Sequence, residues 1–371
     1  MYRIAAGAGF VAGALFFAAA WAEAGYTPDQ TEESVAYQIN PAHTGSVTFA
    51  GGFAAPLKKL WTFDTKGAVT YPLVAGGQVF VVSNGNDVFA LDALTGKRHW
   101  EHLLSGNDNL GAYDNGMLFF DNSDGQVTAL IARSGRQAWG AQVSSDFSSS
   151  APIALNGQLF VAGPALTALD ESTGAIQWSN GIEATDGSAA FGNGGLYVGG
   201  PCQYYKYAPS SGKLLWHDSN GCEGGGGTSP AYYKGHVYLV DWAEGNFVLS
   251  AKTGAVSGNF PGSVPPSFYL GDTGKSRELV IADGKLVCLS LTTGNVVWSY
   301  SAGSDQLVGQ PIAINGQPIV AASSGKIVML DDKRGKVIWS DTVGNYVNSM
   351  NAGDGVLAIS AGTKVTVFAP Q

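Results

Sequence analysis

Glycine and tryptophan recur together along this chain. Seven glycines (Gly96, Gly135, Gly174, Gly212, Gly254, Gly294 and Gly335) each stand four residues before a tryptophan, except that Gly258 holds the place in the fifth copy. Successive glycines are 39, 39, 38, 42, 40 and 41 residues apart. A period of that size marks a repeat architecture, in which each unit hides its apolar face against its neighbours.

Each period holds four short β-type runs. In the first, residues 71–74, 79–82, 88–92 and 97–102 are apolar or alternating, with turn residues between them. The turn after the first run repeats as Asn115-Gly116, Asn156-Gly157, Asn315-Gly316 and Asp354-Gly355. These pairs supply the positive φ angles of tight hairpins. A Thr-Gly or Ser-Gly pair serves between the third and fourth runs, where an upstream Asp accepts from the free turn amides. Four antiparallel strands every forty residues make one propeller blade.

Seven turn motifs close seven blades. Three further runs, 348–352, 356–360 and 364–369, follow Trp339, and the missing fourth strand stands at the other end, where Leu57-Lys58-Lys59-Leu60-Trp61 resembles an outer strand with its Trp. Pairing 57–64 with 364–369 completes an eighth blade and removes the open edge of the ring. The expected fold is all-β: an eight-bladed propeller of four-stranded antiparallel blades, closed by its N- and C-terminal strands. Trp61, Trp100, Trp139, Trp178, Trp216, Trp298 and Trp339 then share one place and are expected to wedge between blades, each burying on the order of 200 Å². The fifth blade, with Gly258, is expected to be the least regular, and Phe260 is the residue placed to fill its gap.

Ala90–Trp100 reads A-x-D-x-x-T-G-x-x-x-W, and Ala168–Trp178 matches it at every fixed position. This signature resembles the repeats of pyrroloquinoline-quinone (PQQ) enzymes, the quinoprotein-like propellers. The resemblance covers residues 57–371, and 37–45 looks like the lead-in before the first blade of such proteins. It implies either of two functions. PQQ-dependent alcohol dehydrogenases place a vicinal disulfide over the cofactor and hold calcium with acidic and amide ligands. This chain has no Cys-Cys pair, and its short connections leave little for a substrate pocket. The BamB-type propeller of outer-membrane barrel assembly is non-catalytic and similar in size, but is normally anchored through an N-terminal lipidated Cys that this chain lacks.

The N-terminus is expected to direct export. Met1-Tyr2-Arg3 is followed by an apolar run from Ile4 to Trp21 and by Ala22-Glu23-Ala24, a small-residue exit suited to signal peptidase. The domains are then a signal peptide over 1–24, a polar lead-in over 25–56 and the propeller over 57–371. An uncleaved anchor is the alternative. After cleavage no membrane span is expected, and the periplasm or the exterior is the compartment. Removing 1–24 takes away Arg3 and Glu23, so the net charge stays at −9. An acidic chain without basic clusters offers nucleic acid no track.

Cys288 sits where other copies have Ala90, Ala129 and Ala168, a buried strand position that suits a packed thiol. Cys202 and Cys222 fall in loops of adjacent blades that emerge on one face of the disc, so an oxidising compartment makes a Cys202–Cys222 disulfide plausible. The histidines show no metal-ligand spacing, and Asp121-Asn122-Ser123-Asp124-Gly125 reads as a hairpin turn more readily than as a calcium loop. No catalytic, cofactor or metal residue is assigned. The connections into the inner strands bring Tyr71, Asp146, Phe147, Thr228, Phe268, Tyr269 and Tyr346 to one channel mouth as candidate binding residues; the alternative is that they plug the channel. The expected function is a monomeric scaffold for a protein partner in the cell envelope, with no cofactor. The alternatives are a PQQ- and calcium-dependent dehydrogenase or a small-ligand sensor.

Overall fold

The computed structural model describes residues 32–371 apart from 108, 146–149, 183–186, 201, 220–227, 242–244, 263 and 345. The segment expected to be the signal peptide lies outside the described residues. Eight sheets follow one another along the chain, and no helix occurs among the described residues. The first blade is Leu73–Ala75, Gln78–Ser83, Asp87–Asp92 and Arg98–Leu103, each strand antiparallel to the next. The eighth is Val347–Gly353, Val356–Ala361 and Lys364–Pro370, and its outer strand is Leu57–Asp64 from the other end of the described chain. Lys58 pairs with Ala369 and Thr62 with Thr366, so the ring is closed by its two ends as expected.

Side-chain pattern assigns each strand its layer. The second strand of the eighth blade, Val-Leu-Ala-Ile-Ser-Ala, is buried throughout because sheets cover both its faces. The outer strands alternate between exposed and half-buried positions, as Arg98–Leu103, Gln137–Gln142 and Ile176–Gly181 do. In the turns that follow the third strands, Asp92 accepts from the amides of Leu94 and Thr95 at 3.2 and 2.8 Å. Asp170 accepts from Ser172 and Thr173 at 3.0 and 2.9 Å.

The tryptophans join blade to blade. Each indole N–H donates to a backbone carbonyl of the following blade: Trp61 to Ala93, Trp100 to Ala132, Trp139 to Glu171 and Trp178 to Pro209, at 2.7–3.0 Å. Trp216 donates to Ala251, Trp298 to Asp332 and Trp339 to Leu57. The same indoles lie against the turn glycines of the following blade. A Cβ on Gly96, Gly135, Gly174, Gly212, Gly254 or Gly335 would stand within 3 Å of the ring of Trp61, Trp100, Trp139, Trp178, Trp216 or Trp298. Each of these glycines also has a φ between 64° and 81°. The repeat therefore keeps Gly for two reasons, a left-handed backbone and the close approach of an indole.

The exception confirms the geometry. Gly294 faces the fifth blade, which has Gly258 in place of Trp, and a Cβ there would meet nothing within 4 Å. Phe260 does not fill this gap. It is buried against Tyr238, in a cluster with Phe268 and Val280. The fifth outer strand is shortened to Val256–Asn259.

The lead-in departs from the expected polar tail. Its described residues are largely buried, because they run around the axis and join the free edges of the inner strands. Ser34 exchanges two backbone bonds with Val74 of blade one, and Tyr113 of blade two donates to Val35. Ala36 packs with Ile153 and Leu155 of blade three. Phe191, Tyr232, Phe268 and Ala313 of blades four to seven donate to Pro41, Ala42, Thr44 and Gly45, and Asp354 of blade eight to Glu32. Ser46–Val47 then adds a parallel strand to blade seven, with Ser46 opposite Ala313. Eight inner edges would otherwise leave unpaired backbone groups around the axis.

One outcome tests the wedge. Gly174→Ala and Gly294→Ala both place Ala at positive φ, at a cost of about 1–2 kcal/mol. Only Gly174→Ala also collides with an indole, which adds about 1–3 kcal/mol. Thermal unfolding is expected to show a clearly larger drop in midpoint for Gly174→Ala; equal drops would contradict the steric pairing.

Candidate functional site

The lead-in caps one end of the central channel and leaves a cavity of about 300 Å³ above it. Tyr37 and Gln38 of the lead-in line it, with Thr70 and Tyr71 from blade one, Val264 before blade six, Gly309, Gln310 and Ile312 from blade seven, and 348–351 from blade eight. Its walls are fixed by hydrogen bonds. The Tyr71 hydroxyl donates to the Gly111 carbonyl at 2.6 Å and accepts from the Gly111 amide at 3.0 Å. The side-chain amides of Asn351, Asn348 and Gln310 donate to Pro72, Val69 and Pro265 at 2.7, 2.9 and 3.1 Å. The Tyr37 ring meets Tyr71 at 5.7 Å and His43 at 5.6 Å, both edge-on.

His43 anchors the cap. It is fully buried, with Nδ1 2.7 Å from the Pro230 carbonyl and Nε2 3.4 Å from the Ser188 hydroxyl. Burial pushes its pKa down to about 4, so it is neutral at pH 7 and its Nδ1–H donates to Pro230. Burial also raises the Tyr37 and Tyr71 phenols, which stay protonated. The cavity is therefore uncharged among its described lining residues.

The family model described as "Outer membrane protein assembly factor BamB" matches residues 54–164, 104–184 and 162–369. The chain belongs to this family. Among curated relatives, the BamB-family propeller is 25% identical to the outer membrane protein assembly factor BamB of Yersinia pestis over 71% of this chain and 74% of that protein. It is also 25% identical to the tetrathionate hydrolase of Acidithiobacillus ferrooxidans over 59% of this chain and 51% of that one. For the dehydrogenase subunit of the quinone alcohol dehydrogenase of Gluconobacter oxydans the values are 24%, 89% and 46%. The chain thus spans about half the length of these last two. Among solved structures, BamB from Moraxella catarrhalis superposes with a TM-score of 0.67, at 16% identity, over 85% of this chain and all of that one. Quinohemoprotein alcohol dehydrogenase from Comamonas testosteroni gives 0.73, at 15% identity, over 92% and 81%. These superpositions establish the propeller fold.

The enzymes among these relatives raise the question whether the BamB-family channel suits PQQ and calcium. PQQ is a tricarboxylate that needs cationic partners, and calcium needs several oxygen ligands with carboxylates among them. The described lining residues include no Lys, Arg, His, Asp or Glu. No three His, Cys, Asp or Glu side chains come together as a metal site among the described residues. The lining set does not fit the pair. In the segment 121–125, Asn122 Oδ1 is already taken by the Asp124 and Gln126 amides of its own turn.

Of the residues expected at the mouth, Tyr71 lines the cavity and Tyr346 is 56% exposed. Thr228 is half-buried, its hydroxyl bonded to the Val240 backbone. Phe268 and Tyr269 are corrections. Phe268 is fully buried, stacked 4.8 Å from Tyr233, and Tyr269 is buried with its hydroxyl 2.8 Å from Asp332. Both belong to the strand Ser267–Leu270, whose side chains are taken up by neighbouring blades rather than by the mouth. Asp146 and Phe147 lie outside the described residues. Tyr37, Gln38, Gln310 and the blade-eight asparagines were missed, since nothing local tells that the lead-in doubles back beneath the channel. Cys288 is a buried free thiol raised by burial to about 11. Cys202 is buried and Cys222 lies outside the described residues.

The disc carries buried carboxyls elsewhere. Glu171 of blade three is raised to about 9, first by burial and then by the neighbouring Asp114, itself raised by burial. Glu278 is raised by burial to about 7. Glu33 and Asp354 are raised by burial as well, although each accepts a backbone amide, from Gly76 and Gly77. These groups hold protons more tightly folded than unfolded. Their contribution to stability is full below about pH 4.5 and is lost as pH rises towards 9. The unfolding midpoint is expected to fall between pH 5 and pH 9, and Glu171→Gln to flatten that fall. An unchanged slope in the variant would contradict the assignment.

Proposed function

We propose that this BamB-family propeller is an exported, non-catalytic scaffold that docks a protein partner in the cell envelope, in the service of outer-membrane protein assembly. The family model covering nearly all of the propeller carries this reading. The absence of charged side chains among the described lining residues of the cavity supports it, since a redox cofactor of the quinone type would find no ionic partner among them. The quinone alcohol dehydrogenase relatives favour a second reading, a quinoprotein-type enzyme, through similarity along 89% of this chain. The two differ in where function sits: on the rim and blade edges, or in the channel.

The surface suits extended partners. The outer strands end the sheets with free backbone edges and carry exposed apolar side chains, Leu214 and Leu215 in blade four and Val337 and Ile338 in blade seven. A partner strand can add to such an edge, with alternate side chains giving specificity. Photocrosslinking groups at Leu214, Ile338 and Tyr346 are expected to trap a discrete envelope protein in cells from at least one position. Diffuse or absent adducts from all three would contradict the scaffold.

An exported protein meets an oxidising compartment that permits disulfides, and we propose that Cys202 pairs with Cys222. Cys202 is buried at a turn with a φ of 57°. A thiol count on the unfolded, unreduced protein is expected to find one reactive cysteine, Cys288. Three would rule the pairing out.

A further inference from the structure

The interface between blades five and six lacks the indole that every other one holds. At six places the ring stands against the turn glycine of the next blade, and its N–H donates to the carbonyl three residues before that glycine: Ala93, Ala132, Glu171, Pro209, Ala251 and Asp332. Blade five offers Gly258 instead, so the matching groups of blade six are left bare. Gly294 is exposed, whereas Gly96 is half-buried and Gly135, Gly174, Gly212, Gly254 and Gly335 are buried. The Leu291 carbonyl stands in the acceptor's place, and no described residue donates to it.

The vacancy has apolar walls. Leu289 lies five residues before Gly294, and its counterparts Leu91, Leu130, Leu169, Tyr207, Leu249 and Leu330 are 0–4% exposed, but Leu289 is only half-buried. Val287 and Leu291 on the same face are half-buried too, as is Val248, which lies opposite Gly258 in the fifth sheet. In blades one to three the middle four positions of the third strand are all buried; in blade five one of them is, and in blade six two. The wall residues pack inward on the core that joins the two blades, Tyr238, Phe260, Phe268 and Val280. The slot is thus the uncovered outer end of an established interface. A Cβ on Gly258 would meet only Val248, at 4.0 Å, so nothing else reaches into it from that strand.

We propose that this slot receives a tryptophan side chain from an extended segment of a partner protein, seated against Gly294 with its indole N–H on the Leu291 carbonyl. The inference rests on the docking role proposed above and names the anchor of that contact. The ring supplies the template, since the same left-handed glycine and the same carbonyl accept an indole at six other places. An aliphatic side chain would cover the walls but leave the carbonyl without its donor, and a charged one would lose hydration against leucine and valine. One seated tryptophan buries on the order of 200 Å² and is the residue type that most often anchors an interface. A second copy of this chain has no such group to offer among the described residues, because all seven of their tryptophans are seated at interfaces of their own.

Two end-blocked pentapeptides, Ser-Val-Trp-Val-Ser and Ser-Val-Ala-Val-Ser, provide matched probes. Saturation-transfer NMR and calorimetric titration of the full mature protein are expected to give saturable binding of the tryptophan peptide, with the alanine peptide weaker by about tenfold or more. A 1-methyltryptophan version lacks the N–H and is expected to bind about threefold to tenfold more weakly than the parent. Gly258→Trp fills the slot from within, and is expected to raise the unfolding midpoint while abolishing peptide binding. Leu291→Lys sets a charge on the wall and is expected to weaken binding by about tenfold or more. Equal binding of the tryptophan and alanine peptides, no binding of either, binding that survives Gly258→Trp, or a Gly258→Trp midpoint below that of the unaltered protein would each overturn the proposal. Discrete crosslinks from the three rim positions alongside any of these results would leave the scaffold standing and remove only its tryptophan anchor.

Discussion

The indole of one blade standing on the turn glycine of the next is the contact on which this disc depends. It combines three requirements at one place: a left-handed turn, an absent Cβ, and a carbonyl that accepts the indole N–H. Because the donor lies in one blade and the acceptor in the next, the contact fixes rotation between sheets as well as distance. Trp339 carries it across the closure to Leu57, where the N-terminal outer strand meets the C-terminal blade. The missing indole at Gly258 leaves Gly294 facing open space, and the blade that lacks it has the shortest outer strand of the ring, four residues against six to eight in the others.

A ring of blades leaves a second problem at the axis, where inner strands end in unpaired backbone. The lead-in answers it by visiting each blade in turn, mostly through its carbonyls, and by burying Asn40, His43 and Thr44 in the process. His43 can be buried because it stays neutral and donates to Pro230. The result is a channel with a floor, and the floor gives the cavity its chemistry.

How far the sequence carried depended on whether the information was repeated. The period, the Asn-Gly hairpins, the Asp-capped turns and the closing strand pair 57–64 with 364–369 are written several times or in plain alternation, and the fold was legible from them. The lead-in is written once. Tyr37, Gln38 and His43 sit in a polar stretch with no periodicity, and their place under the channel follows from long-range backbone bonds that no local pattern encodes. Phe268 and Tyr269 illustrate the converse. They lie where a connection enters an inner strand, yet the aromatic pair Tyr233 and Tyr238 and the carboxylate of Asp332 draw them inward. Burial of a rim aromatic is decided by the adjacent blade, which a single repeat does not reveal.

The account turns on a cavity with no charged side chain among its described lining residues, in a fold shared with quinone-dependent enzymes. Its most direct test is calorimetric titration of the mature protein with PQQ, with and without calcium. The account predicts no saturable heat in either condition. Tight, calcium-dependent binding would contradict it and would place function in the channel as a redox site.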